Sequence, residues 1–139
     1  MSEAIKVEIV SPEQLVFSQD ASSVTVPGVE GYFTVMGEHA PLMSILKHGF
    51  VTVQADKDTK SFYVGGGFVD VSPKGVSILA EVAKTSADFS EEQIQEEIKI
   101  AKEQLQKAKD ADETSVAQAI LDGFSNFADE VKNMRPSGF

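Results

Sequence analysis

The sequence predicts an α+β chain in two parts: an N-terminal antiparallel β-sandwich or flattened barrel over residues 1–86, then a C-terminal antiparallel two-helix hairpin over 87–139. Three observations carry that expectation. Up to about Ala83, apolar residues recur at every second position, as in strands with one buried face. After Asp88 they recur at steps of three and four, the period of a helix. Between the apolar runs of the first part stand clusters of Gly, Pro, Ser and Asp, which close turns.

Ile5, Val7 and Ile9 alternate with Lys6 and Glu8 in the first strand, and Val24 and Val26 alternate with Ser23 and Thr25 in a later one. Pro27-Gly28 and Glu30-Gly31 punctuate the chain next, because proline fixes φ and glycine tolerates positive φ. Phe33 and Val35 then alternate with Thr34 and Met36, and an apolar patch follows around Leu42, Ile45 and Leu46. Val51 and Val53 alternate with Thr52 and Gln54 before a polar stretch, 55–60, that reads as a hairpin loop ahead of a strand at 61–64. Gly65-Gly66-Gly67 lacks the Lys-Ser/Thr of a phosphate-binding loop and runs straight into Phe68-Val69-Asp70-Val71, so it reads as a bulge or a close backbone approach. Residues 70–79 read as a hairpin turning at Ser72-Pro73-Lys74-Gly75.

In the second part Ser90 is an N-cap, Glu91 and Glu92 sit in the first turn, and Gln93 completes a capping box. Ile94, Ile98, Ala101, Leu105 and Ala108 form one apolar stripe, which the polar stretch 109–113 ends. Val116, Ile120, Phe124, Phe127, Val131 and Met134 form a second stripe that stops before Pro136. Two such stripes joined by a short link predict an antiparallel hairpin. Gly123 lies inside the second helix, where it costs about 1 kcal/mol relative to alanine and marks a weak point.

Composition narrows the functional classes. No apolar run approaches the roughly 20 residues of a bilayer span, and no basic segment followed by an apolar core opens the chain, so neither insertion in lipid nor export by a signal peptide is expected. With no cysteine there are no disulfides or thiolate sites, and two histidines make zinc improbable. The net charge is −10, and residues 1–88 and 89–139 each carry 6 basic and 11 acidic side chains. No basic patch is therefore concealed in the average, which argues against nucleic acid and against anionic lipid headgroups as partners. No cofactor and no metal site is expected. Glu91, Glu92, Glu96, Glu97 and Glu103 read as a solvated helix face. His39 is the one catalytic suspect, near Glu30, Glu38 and Ser44, and is read as a structural or interface histidine, since nearness in sequence is not a triad. His48 has still less to support a catalytic role.

The most specific run is PGVEGYFTVMGEHAPLMSILKHG, residues 27–49. It resembles the epsilon subunit of bacterial-type F-type rotary ATP synthases, whose N-terminal domain carries PGxEGxFxVxxxHAPLxxxLKxG; the matched residues include Pro27, Gly28, Glu30, Gly31, Phe33, Val35, His39, Ala40, Pro41, Leu42, Leu46, Lys47 and Gly49. IKVEIVSPEQLVFS (5–18) and YVGGGFVDVSPKGVSILAEVA (63–83) extend the resemblance on both sides. What it implies is a non-catalytic rotor subunit of the central stalk, coupling proton or sodium flow through the membrane c-ring to ATP synthesis. The implied partners are the gamma subunit and the c-ring, with the alpha/beta catalytic head as a further one, at the cytoplasmic face of the bacterial inner membrane. Candidates for the rotor contact are Glu30, Gly31, Tyr32, Met36, His39, Ala40, Pro41 and Leu42.

Three departures from the family pattern bear on mechanism. Relatives commonly carry an acid where this chain has Tyr32, so stacking or hydrogen bonding must replace a charge contact. The nucleotide motif [I/L]DxxRA of some relatives is here Ile94-Gln95-Glu96-Glu97-Ile98-Lys99, without its aspartate or arginine, which predicts weak or no ATP binding. Lys132 and Arg135 are the only cations of the second helix, against Asp122, Asp129 and Glu130, whereas that helix is basic in strongly inhibitory relatives, so only weak control of ATP hydrolysis is expected. The other reading left open is a regulatory module in which the hairpin senses a nucleotide and the sandwich is a passive anchor; a hydrolase using His39 is weaker still.

Overall fold

Alternation in the first part resolves into eight strands: β1 (Ile5–Val10), β2 (Leu15–Ala21), β3 (Ser23–Gly28), β4 (Gly31–Met36), β5 (Leu42–Ile45), β6 (Gly49–Ala55), β7 (Asp58–Ser72) and β8 (Gly75–Lys84). A short 3-10 turn, Ser86–Asp88, precedes helices α1 (Glu91–Lys107) and α2 (Ala111–Met134). The structure is a computed structural model and describes residues 4–37, 40–56 and 58–134, without the side chains of 133 and 134. Two compact units divide the chain, Met1–Ala83 and Lys84–Phe139.

The β unit is one continuous sheet in the order β2-β1-β8-β7-β6-β3-β4, with β5 added on β7. Ile5, Val7 and Ile9 of β1, Val24 and Val26 of β3, Val51 and Val53 of β6, Val64, Val69 and Val71 of β7, and Val76 and Ile78 of β8 all point into a shared core. Each such side chain taken out of water is worth about 1.5–3 kcal/mol, and β-branched residues lose little further freedom in strands. Phe17 of β2 packs on Phe62 of β7 with ring centroids 4.9 Å apart.

Two features differ from the expected pattern. β1 pairs with β8 in parallel, from Lys6 opposite Gly75 to Val10 opposite Leu79, whereas the other registered pairings are antiparallel. Local alternation reads which face is buried and is silent on direction, so this pairing left no mark in the sequence. The described residues of 55–60 are also more strand than loop: β6 reaches Ala55, Asp56 turns with φ 53°, and Asp58, Thr59 and Lys60 already pair with Ala55, Gln54 and Val53. Their polarity is that of an exposed strand end. Thr59 Oγ1 donates to Gln54 Oε1 at 2.6 Å across it.

β7 is the longest strand: β8 lies along one edge, and two strands share the other. Its first half pairs with β6 up to Val64, and its second half pairs with β5 from Phe68 onward. Between them Gly66 and Gly67 take φ of +70° and +101°. A Cβ on Gly67 would fall on the carbonyl oxygen of Leu79, so the strand bends where only glycine lets the β8 backbone come this close.

In the helical unit the expected capping box forms: Gln93 N–H donates to Ser90 Oγ at 3.1 Å, and Ser90 N–H donates to Gln93 Oε1 at 2.7 Å. α2 opens similarly, with Glu113 N–H donating to Asp110 Oδ1 at 2.8 Å and Lys109 N–H donating to Glu113 Oε1 at 3.2 Å. Ile94, Ala101, Ala117, Phe124 and Phe127 are buried between the helices, Gly123 is buried, and Ile98, Leu105, Ile120 and Val131 are half-buried. Val116 is exposed instead of joining the seam, because Ala117 holds the inward position one residue on. Phe89, ahead of α1, contacts Phe124 at 5.4 Å edge-on and Phe127 at 5.5 Å, and those two meet at 5.8 Å.

The bend gives a direct test. Gly31 and Gly67 both have positive φ, but an added Cβ at Gly31 meets nothing within 4 Å while at Gly67 it collides with backbone. Gly31→Ala is expected to cost about 1–2 kcal/mol from strain alone, and Gly67→Ala 4 kcal/mol or more, roughly the threshold of exceptional losses, read by denaturant unfolding.

Candidate functional site

The Pro27–Gly49 run is drawn together by backbone hydrogen bonds rather than by side chains. Val29 N–H donates to the Ile45 carbonyl at 2.9 Å, Lys47 N–H to the Pro27 carbonyl at 2.8 Å, and Leu46 N–H to the Gly67 carbonyl at 2.9 Å. Gly28 and Leu46 form an antiparallel bridge. The β3–β4 turn, β5 and the glycine bend of β7 thus form one rigid corner of the β unit, with Leu46 as its buried plug. Thr25 and Thr34 share a hydroxyl hydrogen bond of 2.8 Å across β3 and β4, which stiffens the arm that carries the turn.

On this corner β5 presents apolar side chains to solvent. Ile45 lies opposite Phe68 and Met43 opposite Asp70, so Met43, Ile45 and Phe68 share one face, and they are 64%, 63% and 45% exposed. Val69 and Val71 of the same ladder point the other way and are buried. A contiguous exposed apolar group on a rigid sheet marks a contact surface more often than a scattered one does. Of the residues expected to make the rotor contact, Glu30, Gly31 and Met36 are exposed in or beside the β3–β4 arm, and Ala40, Pro41 and Leu42 are exposed on the approach to β5. His39 lies outside the described residues. The exposure of Met43, Ile45 and Phe68 was missed because their alternation looks like that of any half-buried strand; the signal was Ile45 and Leu46 in succession, which must face opposite sides.

Tyr32 turns inward. Its hydroxyl accepts a hydrogen bond from Phe50 N–H at 3.3 Å, and it lies where a Cβ on Gly49 would be, so Gly49 leaves the space that lets the phenol reach β6. The hydroxyl is therefore engaged within the unit and is not held out to a partner. His48 is exposed, with its ring over Gly65, and no cluster of three metal-ligating side chains occurs among the described residues.

Two clefts of the helical unit bear on ligand binding. One, of about 370 Å³, is lined by Glu91, Ile94, Gln95, Ala128, Asp129, Val131 and Lys132. Two carboxylates against one ammonium make it a poor host for a nucleotide's phosphates. The other, about 540 Å³, lies toward the α1–α2 link and is mostly apolar.

Burial holds the Tyr32 phenol above its ordinary value of 10.0, with the negative field of Tyr63 adding to the rise and the Phe50 N–H opposing it. The folded protein thus keeps this proton to higher pH than the unfolded chain does. The stability it contributes is complete below pH 10 and is lost as pH rises through the folded value. Tyr32→Phe should cost about 0.5–1.5 kcal/mol at pH 7 and show a shallower stability loss between about pH 10 and 12, read by urea unfolding across that range.

Comparison with known proteins follows the same outline. A family model for the beta-sandwich domain of the ATP synthase delta/epsilon chain matches residues 4–86. The ATP synthase epsilon chain of Mesorhizobium japonicum is 43% identical over 122 residues, covering 87% of this chain and 90% of that one. That of Brucella canis is 38% identical with the same coverage. Among solved structures, a chain of the Euglena gracilis mitochondrial ATP synthase (OSCP/F1/c-ring, rotational state 1) aligns with a TM-score of 0.60 at 17% identity, over 94% of this chain and 81% of that one. A chain of the Tetrahymena thermophila central stalk and c-ring aligns at 0.55 and 15%, over 91% and 97%, and both likenesses bear on fold alone. By the domain match across the β unit and by identity along most of its length, the chain belongs to the family of ATP synthase epsilon chains.

Proposed function

We propose that this chain is the non-catalytic epsilon subunit in the central stalk of a bacterial F-type ATP synthase, coupling ion flow through the c-ring to ATP synthesis. The β unit holds the foot of the gamma subunit and rests on the loops of the c-ring, at the cytoplasmic face of the inner membrane. No described helix is long and apolar enough to cross a membrane. The observation that carries this reading is the outward apolar face of Met43, Ile45 and Phe68 on a corner fixed by main-chain hydrogen bonds, beside the β3–β4 turn. A rotor contact transmits torque only if it does not yield. Backbone ladders resist shear better than long flexible side chains, which suits this corner to the task. Glu30, Gly31, Met36, Ala40, Pro41 and Leu42 flank that face and are read as its rim.

The helical unit contributes less. Asp122 and Asp129 are exposed on α2, so an extended arm meeting acidic loops of the catalytic head is opposed by like charge. Phe124 and Phe127, buried on closure, favour the folded hairpin.

Two measurements test this. Ile45→Asp with Phe68→Ser, both at exposed positions, should leave folding intact and cut coupled ATP synthesis at least about tenfold in membranes otherwise lacking the subunit, a loss of about 1.4 kcal/mol or more in assembly. Unchanged synthesis would move the contact elsewhere. Deleting residues 89–139 should raise the ATPase rate of the assembled complex by less than about tenfold; a larger rise would make the hairpin a strong inhibitor despite its charge.

A further inference from the structure

The apolar cleft near the α1–α2 link is not used by the rotor contact and has its own chemistry. Ala101 and Ala117 form a buried floor whose small side chains keep it open, and Ile100 and Val116 stand on its walls, 41% and 48% exposed. From Glu97 to Ala108 it follows α1 for about 16 Å, or three helical turns. Its rim carries Glu97, Asp112 and Glu113 against Lys107. Glu113 also caps α2, so Glu97 on α1 and Asp112 on α2 are the acids that can be changed without disturbing the cap.

We infer that this groove receives a lysine- or arginine-rich amphipathic helix from a partner protein. Three turns of groove match apolar anchors at i, i+3 or i+4, and i+7 of a docked helix. Charge chooses among occupants. Residues 89–139 carry 6 basic against 11 acidic side chains, so a second copy of this chain would bring like charge to a rim that is net acidic, whereas a cationic helix meets opposite charge at Glu97 and along the α2 wall. The inference does not depend on the rotor reading, since the groove lies wholly within the helical unit.

The test uses the full chain and an acetylated, amidated leucine/lysine peptide of about 18 residues with one tryptophan on its apolar face. The chain has no tryptophan, so peptide emission alone reports binding. Saturable one-to-one binding with a blue shift is expected in about 150 mM salt, where long-range attraction is screened. Glu97→Lys with Asp112→Lys should weaken it at least about tenfold, and Val116→Ser, which leaves all charges in place, about threefold or more. Glu97→Gln with Asp112→Asn provides a milder pair, expected to weaken binding about threefold, should the reversed pair lower helicity by circular dichroism. Glu8→Lys with Glu13→Lys changes net charge equally on the β unit and should leave affinity within about twofold. Equal weakening by that control pair, indifference to Val116→Ser, or equal binding of a leucine/glutamate peptide would overturn the assignment. So would self-association of the chain abolished by Val116→Ser, which would give the groove to a second copy.

Discussion

The near-contact of two backbones at Gly67 and Leu79 governs the geometry of the β unit. Because no side chain stands between them, β7 can bend sharply without leaving β8, and its second half is turned away from β6. The edge that β6 leaves would otherwise be unpaired main chain. β5 pairs with it, Leu46 donates to Gly67, and the β3–β4 turn is then tied to β5 through Val29 and Ile45. The exposed apolar face is a product of the same bend, since Phe68 is the first residue after it and sets the side on which Ile45 and Met43 must lie.

Much of this was legible from the residue pattern, for reasons that differ by element. Alternation in β1, β3 and β6 gave the faces that meet the shared core, although Phe50 of β6 is buried on the opposite face as well. The Ser90 cap was legible because capping is local chemistry within four residues. The triple glycine could be read as a close backbone approach but not as a change of partner, which depends on two strands distant in sequence. The parallel β1–β8 ladder was hidden for the same reason.

The site was legible in motif and less so in orientation. Tyr32 stood out as a departure in a recognisable run, yet nothing local says that its phenol bonds to Phe50; that follows from the space left at Gly49. In the helical unit Val116 fitted a step-of-four stripe drawn through Ile120 and Phe124, and a helix's 3.6 period lets such a stripe drift until the neighbouring Ala117 is the buried one. Phe89 was overlooked because it precedes the first helical turn, where periodicity has nothing to count, although it joins the largest aromatic group of its unit.

The parallel ladder also bears on how the chain is made. Lys6 emerges from the ribosome early and its partner Gly75 much later, so β1 can form only a hairpin with β2 in the interval, with Val7 and Ile9 uncovered. An isolated two-stranded hairpin is marginal in water, and the closing contact spans most of the unit. Completion of the β unit's sheet therefore waits on β8, the strand that joins β1 to β7.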